Sequence, residues 1–183
     1  LSDFCGFCYP RELLQQNKSP LTIVLGASGS GKSSLVKAGL ISKMFPKLEN
    51  SQDIHKGWVE FRPGLSPGDS LEQARKDIQI DSIPQGKKRL LVIDQFEEVE
   101  TQCKDKEQKN KFWKELIKLI REHVEKIDVV LTLRSDFETT LRSQFESAFR
   151  DNSQFQTETY NYWVDARFTV PTMEREELEE AIE

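Results

Sequence analysis

The stretch LTIVLGASGSGKSSLVKAGL, residues 21–40, decides the fold. Leu21 to Leu25 is a short, β-branched run bounded by Pro20 and Gly26, and it reads as a buried strand. Glycines at 26, 29 and 31 follow, freeing the backbone to turn with its N–H groups inward. From Lys32 the pattern predicts a helix to about Phe45, ended by Pro46. A buried strand that passes through a glycine-rich turn into a helix is the opening unit of an α/β fold.

Working outward, WVEFR (58–62) alternates and stops at Pro63 and Gly64, which predicts a second strand. GDSLEQARKDI (68–78) is expected to be a short helix, with Ser70 and Gln73 as a capping pair. Arg89 to Asp94 is the third predicted strand. From Glu107 to Lys126, the apolar residues Phe112, Trp113, Leu116, Ile117, Ile120 and Val124 recur at three- and four-residue steps, the stripe of a helix packed on a sheet. DVVLTLR (128–134) is a fourth strand. A polar region rich in Gln, Asn and Thr follows, then YWVDARFTV (162–170) as a fifth strand, and a last helix opening at Pro171 and Thr172. Strands alternating with helices imply a mainly parallel sheet covered on both faces, an α/β sandwich of three layers.

The 183 residues suit one domain, taken as 1–183. The chain starts without methionine and stops inside EREELEEAIE, so a piece of a longer protein is expected. A net charge of −5 gives no global field to draw in nucleic acid or an anionic membrane. The longest uncharged apolar run, LTIVLGA, falls far short of the roughly 20 residues a membrane span needs, and nothing resembles a signal peptide. Three cysteines argue for reduced thiols and a cytoplasmic location. The C-x-x-C of Cys5 and Cys8 lacks the second pair a zinc site requires, and His55 and His123 lack ligating neighbours and read as surface residues.

GASGSGKS (26–33) fits G-x-x-x-x-G-K-[ST] in the required context, after a buried strand and before a helix. In that pattern the backbone of Gly26, Ala27, Ser28, Gly29, Ser30 and Gly31 cradles phosphate oxygens, helped by the helix N-terminus. Lys32 reaches the outer phosphates, Ser33 ligates Mg²⁺, and Ser34 caps the innermost phosphate. The motif points to a nucleoside triphosphate and leaves the reaction open.

LLVIDQFEE (90–98) runs an apolar strand into three acids. Magnesium on phosphates needs few protein ligands, so one strand-end carboxylate, Asp94, suffices. Many ATPases place a glutamate directly after that aspartate, and here Gln95 stands there, able to hydrogen-bond a water but not to take its proton. Glu97 or Glu98 can swing back to orient or deprotonate the water. The bland alternative is that both lie in the solvated first turn of a helix beginning near Gln95. Arg134 ends the fourth strand on the rim where α/β ligands bind, placed to sense terminal phosphate charge. A salt bridge to Asp136 is its structural alternative, and Thr132 offers another polar contact from the same strand.

Five stretches together resemble the STAND class of P-loop NTPases, in particular the novel STAND domains found beside WD40 repeats or trypsin-like or caspase-like domains. They are GASGSGKSSLVKAGL (26–40), FRPG (61–64), LLVIDQFEE (90–98), VVLTLRSDF (129–137) and VPTMEREELEEAIE (170–183). The resemblance implies strand order 5-1-4-3-2, with VVLTLR between the phosphate-loop strand and the Asp94 strand. It also implies Arg134 as the sensor and ATP with Mg²⁺ as the bound species. Related domains place acids third and fourth after the magnesium aspartate, so DQFEE reads as a relocated base. CYPRE (8–12) stands where FFGRE is usual: Arg11 and Glu12 match in the segment that closes over the base, and Pro10 replaces a glycine. The helical lid and winged-helix region usual in the family would be expected beyond residue 183.

The function these features imply is a signal-transduction switch. Binding of ATP and Mg²⁺, with slow hydrolysis, would drive self-association of a longer chain carrying sensor and effector domains, with no membrane or direct nucleic-acid partner. A small-molecule kinase and a nucleotide-binding scaffold without turnover are the alternatives. The guanine-reading N-K-x-D is missing after the loop, since NKSP (17–20) precedes it, and no L-S-G-G-Q-like signature occurs.

Overall fold

A computed structural model describes residues 20–45, 57–150 and 163–170. Five strands form one parallel sheet: β1 (Leu21–Gly26), β2 (Trp58–Phe61), β3 (Arg89–Ile93), β4 (Ile127–Arg134) and β5 (Arg167–Thr169), in the order β2-β3-β4-β1-β5. Read from the other edge this is 5-1-4-3-2, with the VVLTLR strand inserted as expected.

Alternation along the strands builds two cores. Leu21, Ile23 and Leu25 of β1, Leu91 and Ile93 of β3, and Val129, Leu131 and Leu133 of β4 face one side. They meet three helices there: α2 (Pro67–Ile78), α4 (Lys106–Glu122) and α5 (Glu138–Arg150). Between α2 and α4 in the chain lies the short α3 (Glu98–Thr101). Val24, Leu90, Val92 and Val130 face the other side, against Val36, Leu40 and Ile41 of the helix after the phosphate loop. At about 25 cal/mol per Å² of apolar surface buried, these two faces hold the sheet between its layers.

That first helix, α1, spans 32–44 and is not uniform: α-helical turns Lys32–Ser34 and Ser42–Met44 flank a π-helix, Leu35–Ile41. The wider winding brings Val36, Leu40 and Ile41, four and five residues apart, onto the sheet together. Four other expectations are corrected. α2 begins at Pro67, whose fixed φ suits a first helical position, so Ser70 and Gln73 are not a capping pair; Ser70 Oγ donates to Pro63 O, and the Gln73 amide to Asp77. α4 opens one residue early, where Asp105 accepts from the amides of Glu107 and Gln108. It ends at Glu122 because the His123 carbonyl accepts from both Lys126 N and Ile127 N, leaving Val124 outside the helix. In the 162–170 stretch only Arg167–Thr169 is strand, since 163–165 wind helically and bury Trp163. The polar region after β4 contains α5, anchored by Leu141 and Phe145 one turn apart.

No helix among the described residues is long and apolar enough to cross a membrane. The Cys5/Cys8 pair, Arg11, His55 and the last predicted helix lie outside the described residues.

Candidate functional site

The site forms where the strands end. β1 and β4 finish side by side, Gly26 in register with Arg134, and β3 finishes with Ile93 against Leu131. The next residues, Asp94 and Thr132, therefore meet at the rim of the sheet, the position where ligands of α/β proteins bind.

The loop after β1 takes the bend its glycines permit. Gly29 and Gly31 have φ of 78° and 79°, the left-handed region closed to most residues. A Cβ on Gly26 would collide with Ser30 Oγ, so the loop packs against its own start. Lys32 folds back and its ammonium donates to Gly26 O at 3.0 Å and Ala27 O at 2.6 Å, leaving one of three protons for an external acceptor. Gly31 caps α1 without a side-chain acceptor, so the amides of the first turn remain for an anion.

Asp94 is only 1% exposed and accepts four hydrogen bonds. Ser33 Oγ and Thr132 Oγ1 donate to Oδ1 at 2.6 and 2.7 Å, and Arg62 donates to Oδ2 through Nε at 3.2 Å and Nη2 at 3.0 Å. Burial is the largest single influence on its pKa and pushes it up. The Ser33, Thr132 and Arg62 donors together outweigh it and hold the carboxyl below its ordinary value. Arg62 was not among the candidates read from sequence. The signal was the strand register, which places residue 62 beside 94 once β2 and β3 are aligned.

The acidic turn is set by its backbone. Gln95 adopts φ 54°, and its amide donates to Thr132 Oγ1 at 2.9 Å. A non-glycine residue there carries strain of about 1–3 kcal/mol, which the next residue helps to offset. Phe96 is fully buried, with its ring 5.3 Å from that of Trp113 and edge-on to it. The two glutamates that follow are not solvated. Each is 8% exposed, and each accepts a backbone amide: Glu97 Oε2 from Arg134 at 3.3 Å, Glu98 Oε2 from Gly64 at 2.9 Å. The solvated-turn reading is thus corrected, because a carboxylate this buried needs a donor and both have one.

The Arg134 guanidinium makes the alternative contact. It pairs with Asp136 at 3.2 and 2.7 Å and sits 5.1 Å from the Phe137 ring centroid. It still borders the cleft, a hollow of about 300 Å³ lined by residues of the 28–34 loop with Gln95, Glu97, Thr132 and Arg134. Glu98 does not line it. A larger hollow, about 540 Å³, lies between the end of α2 and His123, away from the glycine loop. It has no glycine loop. Among the described residues no group of three or more His, Cys, Asp or Glu side chains could hold a metal unaided. A cation here would take most of its ligands from phosphate and water, with Ser33 Oγ and Asp94 beside it, and this donor set suits magnesium carried by a polyphosphate.

No curated protein matches the chain. The profile of the Novel STAND NTPase 1 family matches residues 10–183, nearly the whole length, in keeping with the sheet order and the strand-loop-helix at its centre. The chain belongs to the Novel STAND NTPase 1 family and is a nucleotide-binding domain of the STAND type.

Proposed function

We propose that the chain binds ATP with Mg²⁺ in the rim cleft, hydrolyses it slowly, and uses the bound state as a switch for assembly. The observation that carries this reading is one cleft that brings together the phosphate loop, Gln95, Glu97, Thr132 and Arg134. Gly26 to Ser34 bind the phosphates, through main-chain amides and the one ammonium proton that Lys32 has free. Magnesium, when bound, would neutralise charge on the phosphate oxygens.

Glu97 faces the cleft and is the group placed to orient a water and take its proton. With Oε2 held by the Arg134 amide, its other oxygen is the one for the water. Glu98, turned to Gly64, holds the turn instead. Slow turnover fits this arrangement, because Asp94 is fully hydrogen-bonded and the Arg134 head group is occupied by Asp136. Arg134 would sense terminal charge by leaving Asp136, a half-exposed pair of the kind worth about 1 kcal/mol or less. Arg11 is assigned to the base of the nucleotide.

Signalling in the cytoplasm, through sensor and effector domains of a longer chain and through contact between copies, extends this reading. Ordering of the loops around a terminal phosphate is the type of event that would drive it. Calorimetry with Mg·ATP and sedimentation with and without nucleotide test it together. Binding and association are expected, and both should vanish in Lys32→Ala. Binding without association would remove the switch, and absence of binding by folded full chain would remove the whole proposal.

A further inference from the structure

Asp94 has no lone pair left over. A carboxylate offers about four acceptor positions, and Ser33, Thr132 and the two Arg62 nitrogens fill them. Ser33 and Thr132 are neutral and sit on α1 and β4. Arg62 forms an ion pair with this carboxylate, and the two partners differ sharply: the Asp94 side chain is 1% exposed, that of Arg62 52%. A buried carboxylate without a counter-charge is strongly unfavourable, so the nucleotide-free chain needs a cation at Oδ2. The half-exposed guanidinium can turn into solvent at little cost to itself once another cation holds Oδ2.

The surrounding backbone fixes the base of Arg62 and the face it occupies. Arg62 follows β2 directly, and Asp94 N donates to Phe61 O at 2.9 Å, continuing the register. Glu60, two residues earlier and on the same face, pairs with Lys37 of α1 at 2.7 Å, so Arg62 also stands on the side of the phosphate-loop helix. Beyond it, Gly64 at φ 62° is tied to Glu98. The arrangement is a rigid stem carrying a releasable head.

We propose that Arg62 is a stand-in cation: its guanidinium neutralises Asp94 when no nucleotide is bound and gives up Oδ2 when magnesium arrives with ATP. Arg62 is therefore a positioning residue that sets how strongly nucleotide binding depends on the metal. The inference rests on the reading of Asp94 as the carboxylate beside the magnesium.

The test is calorimetry of ATP binding to the full chain, in Mg²⁺ and in EDTA, expressed as the ratio of the two dissociation constants. Arg62→Gln is expected to raise the metal dependence about fivefold, the upper end for an ion pair with a solvent-facing partner, with Arg62→Lys between it and the parent. Asp94→Asn is expected to lower it. Nucleotide-free Arg62→Gln should also melt below the parent, with Mg·ATP narrowing the gap. An unchanged or reduced ratio in Arg62→Gln overturns the proposal while leaving the metal site intact. A parent chain that binds ATP equally in Mg²⁺ and in EDTA overturns the metal reading of Asp94 itself.

Discussion

Glu97 and Glu98 are neighbours in the chain that reach in opposite directions, Glu97 to the Arg134 amide at the end of β4 and Glu98 to the Gly64 amide beyond β2. The left-handed turn at Gln95 makes this split by sending Phe96 into the core. On the proposed reading, chemistry falls to Glu97 and support of the turn to Glu98. Glu97→Gln is expected to lower single-turnover hydrolysis by about 100-fold or more while sparing nucleotide affinity, the loss typical of a general base. Glu98→Gln keeps an oxygen for Gly64 and should retain turnover, whereas Glu98→Ala leaves the half-buried Gly64 amide without its acceptor and should lose about 1 kcal/mol of stability. Equal losses of turnover in both glutamine variants would contradict the division.

Thr132 joins two features of the site through one hydroxyl, which donates to Asp94 Oδ1 at 2.7 Å and accepts from Gln95 N at 2.9 Å. Thr132→Val keeps the shape and removes both bonds. Because the residue is buried, the expected cost is about 2 kcal/mol in urea unfolding, with Thr132→Ser recovering most of it. A valine variant as stable as the parent would show that the Gln95 turn needs no such support.

The lowered pKa of Asp94 fixes the sign of a pH effect. A carboxyl depressed in the folded state adds stability above its ordinary value of 3.8, and that stability is lost as pH falls through the lower folded value. Unfolding free energy measured from neutrality down to about pH 3 should therefore decline, and Asp94→Asn should show a shallower decline across the acid end. Parallel curves for the two proteins would mean that the native carboxyl titrates as it does unfolded.

The residues legible in the sequence were those whose position follows from local pattern. β1, the glycine loop and Lys32 are contiguous, and Asp94 and Arg134 close runs of buried apolar residues, so strand ends alone put them on one rim. What the sequence concealed depends on a dihedral angle or on a partner distant in the chain. The direction of Glu97 and Glu98 hangs on φ at Gln95, and the Arg62–Asp94 pair on a register that exists only once β2 joins β3. α5 escaped because Leu141 and Phe145 are its main apolar anchors among Thr, Ser, Gln and Glu, a composition that reads as loop. The π-helical middle of α1 leaves no trace that its ordinary helical spacing would betray.

α5 nonetheless bears on the site through one amide. Gln144 Nε2 donates to Glu100 Oε1 at 2.6 Å, its Oε1 accepts from Trp113 Nε1 at 3.0 Å, and Lys109 Nζ closes on both Glu100 oxygens at 3.0 Å. This network ties α5 and α4 to α3, which directly follows the acidic turn. Gln144→Leu leaves the Trp113 indole without its acceptor and should cost about 1–3 kcal/mol, with little dependence on pH. Gln144→Glu keeps that acceptor and replaces the donor to Glu100 with a second carboxylate. Two carboxylates at such a distance raise the pKa of one of them, and a raised pKa stabilises the folded state as pH falls. The Gln144→Glu defect, measured by urea unfolding, should thus be largest at neutrality and shrink toward about pH 5 as the pair takes up a proton. A defect that stays constant over this range would mean that the Gln144 amide does not face Glu100.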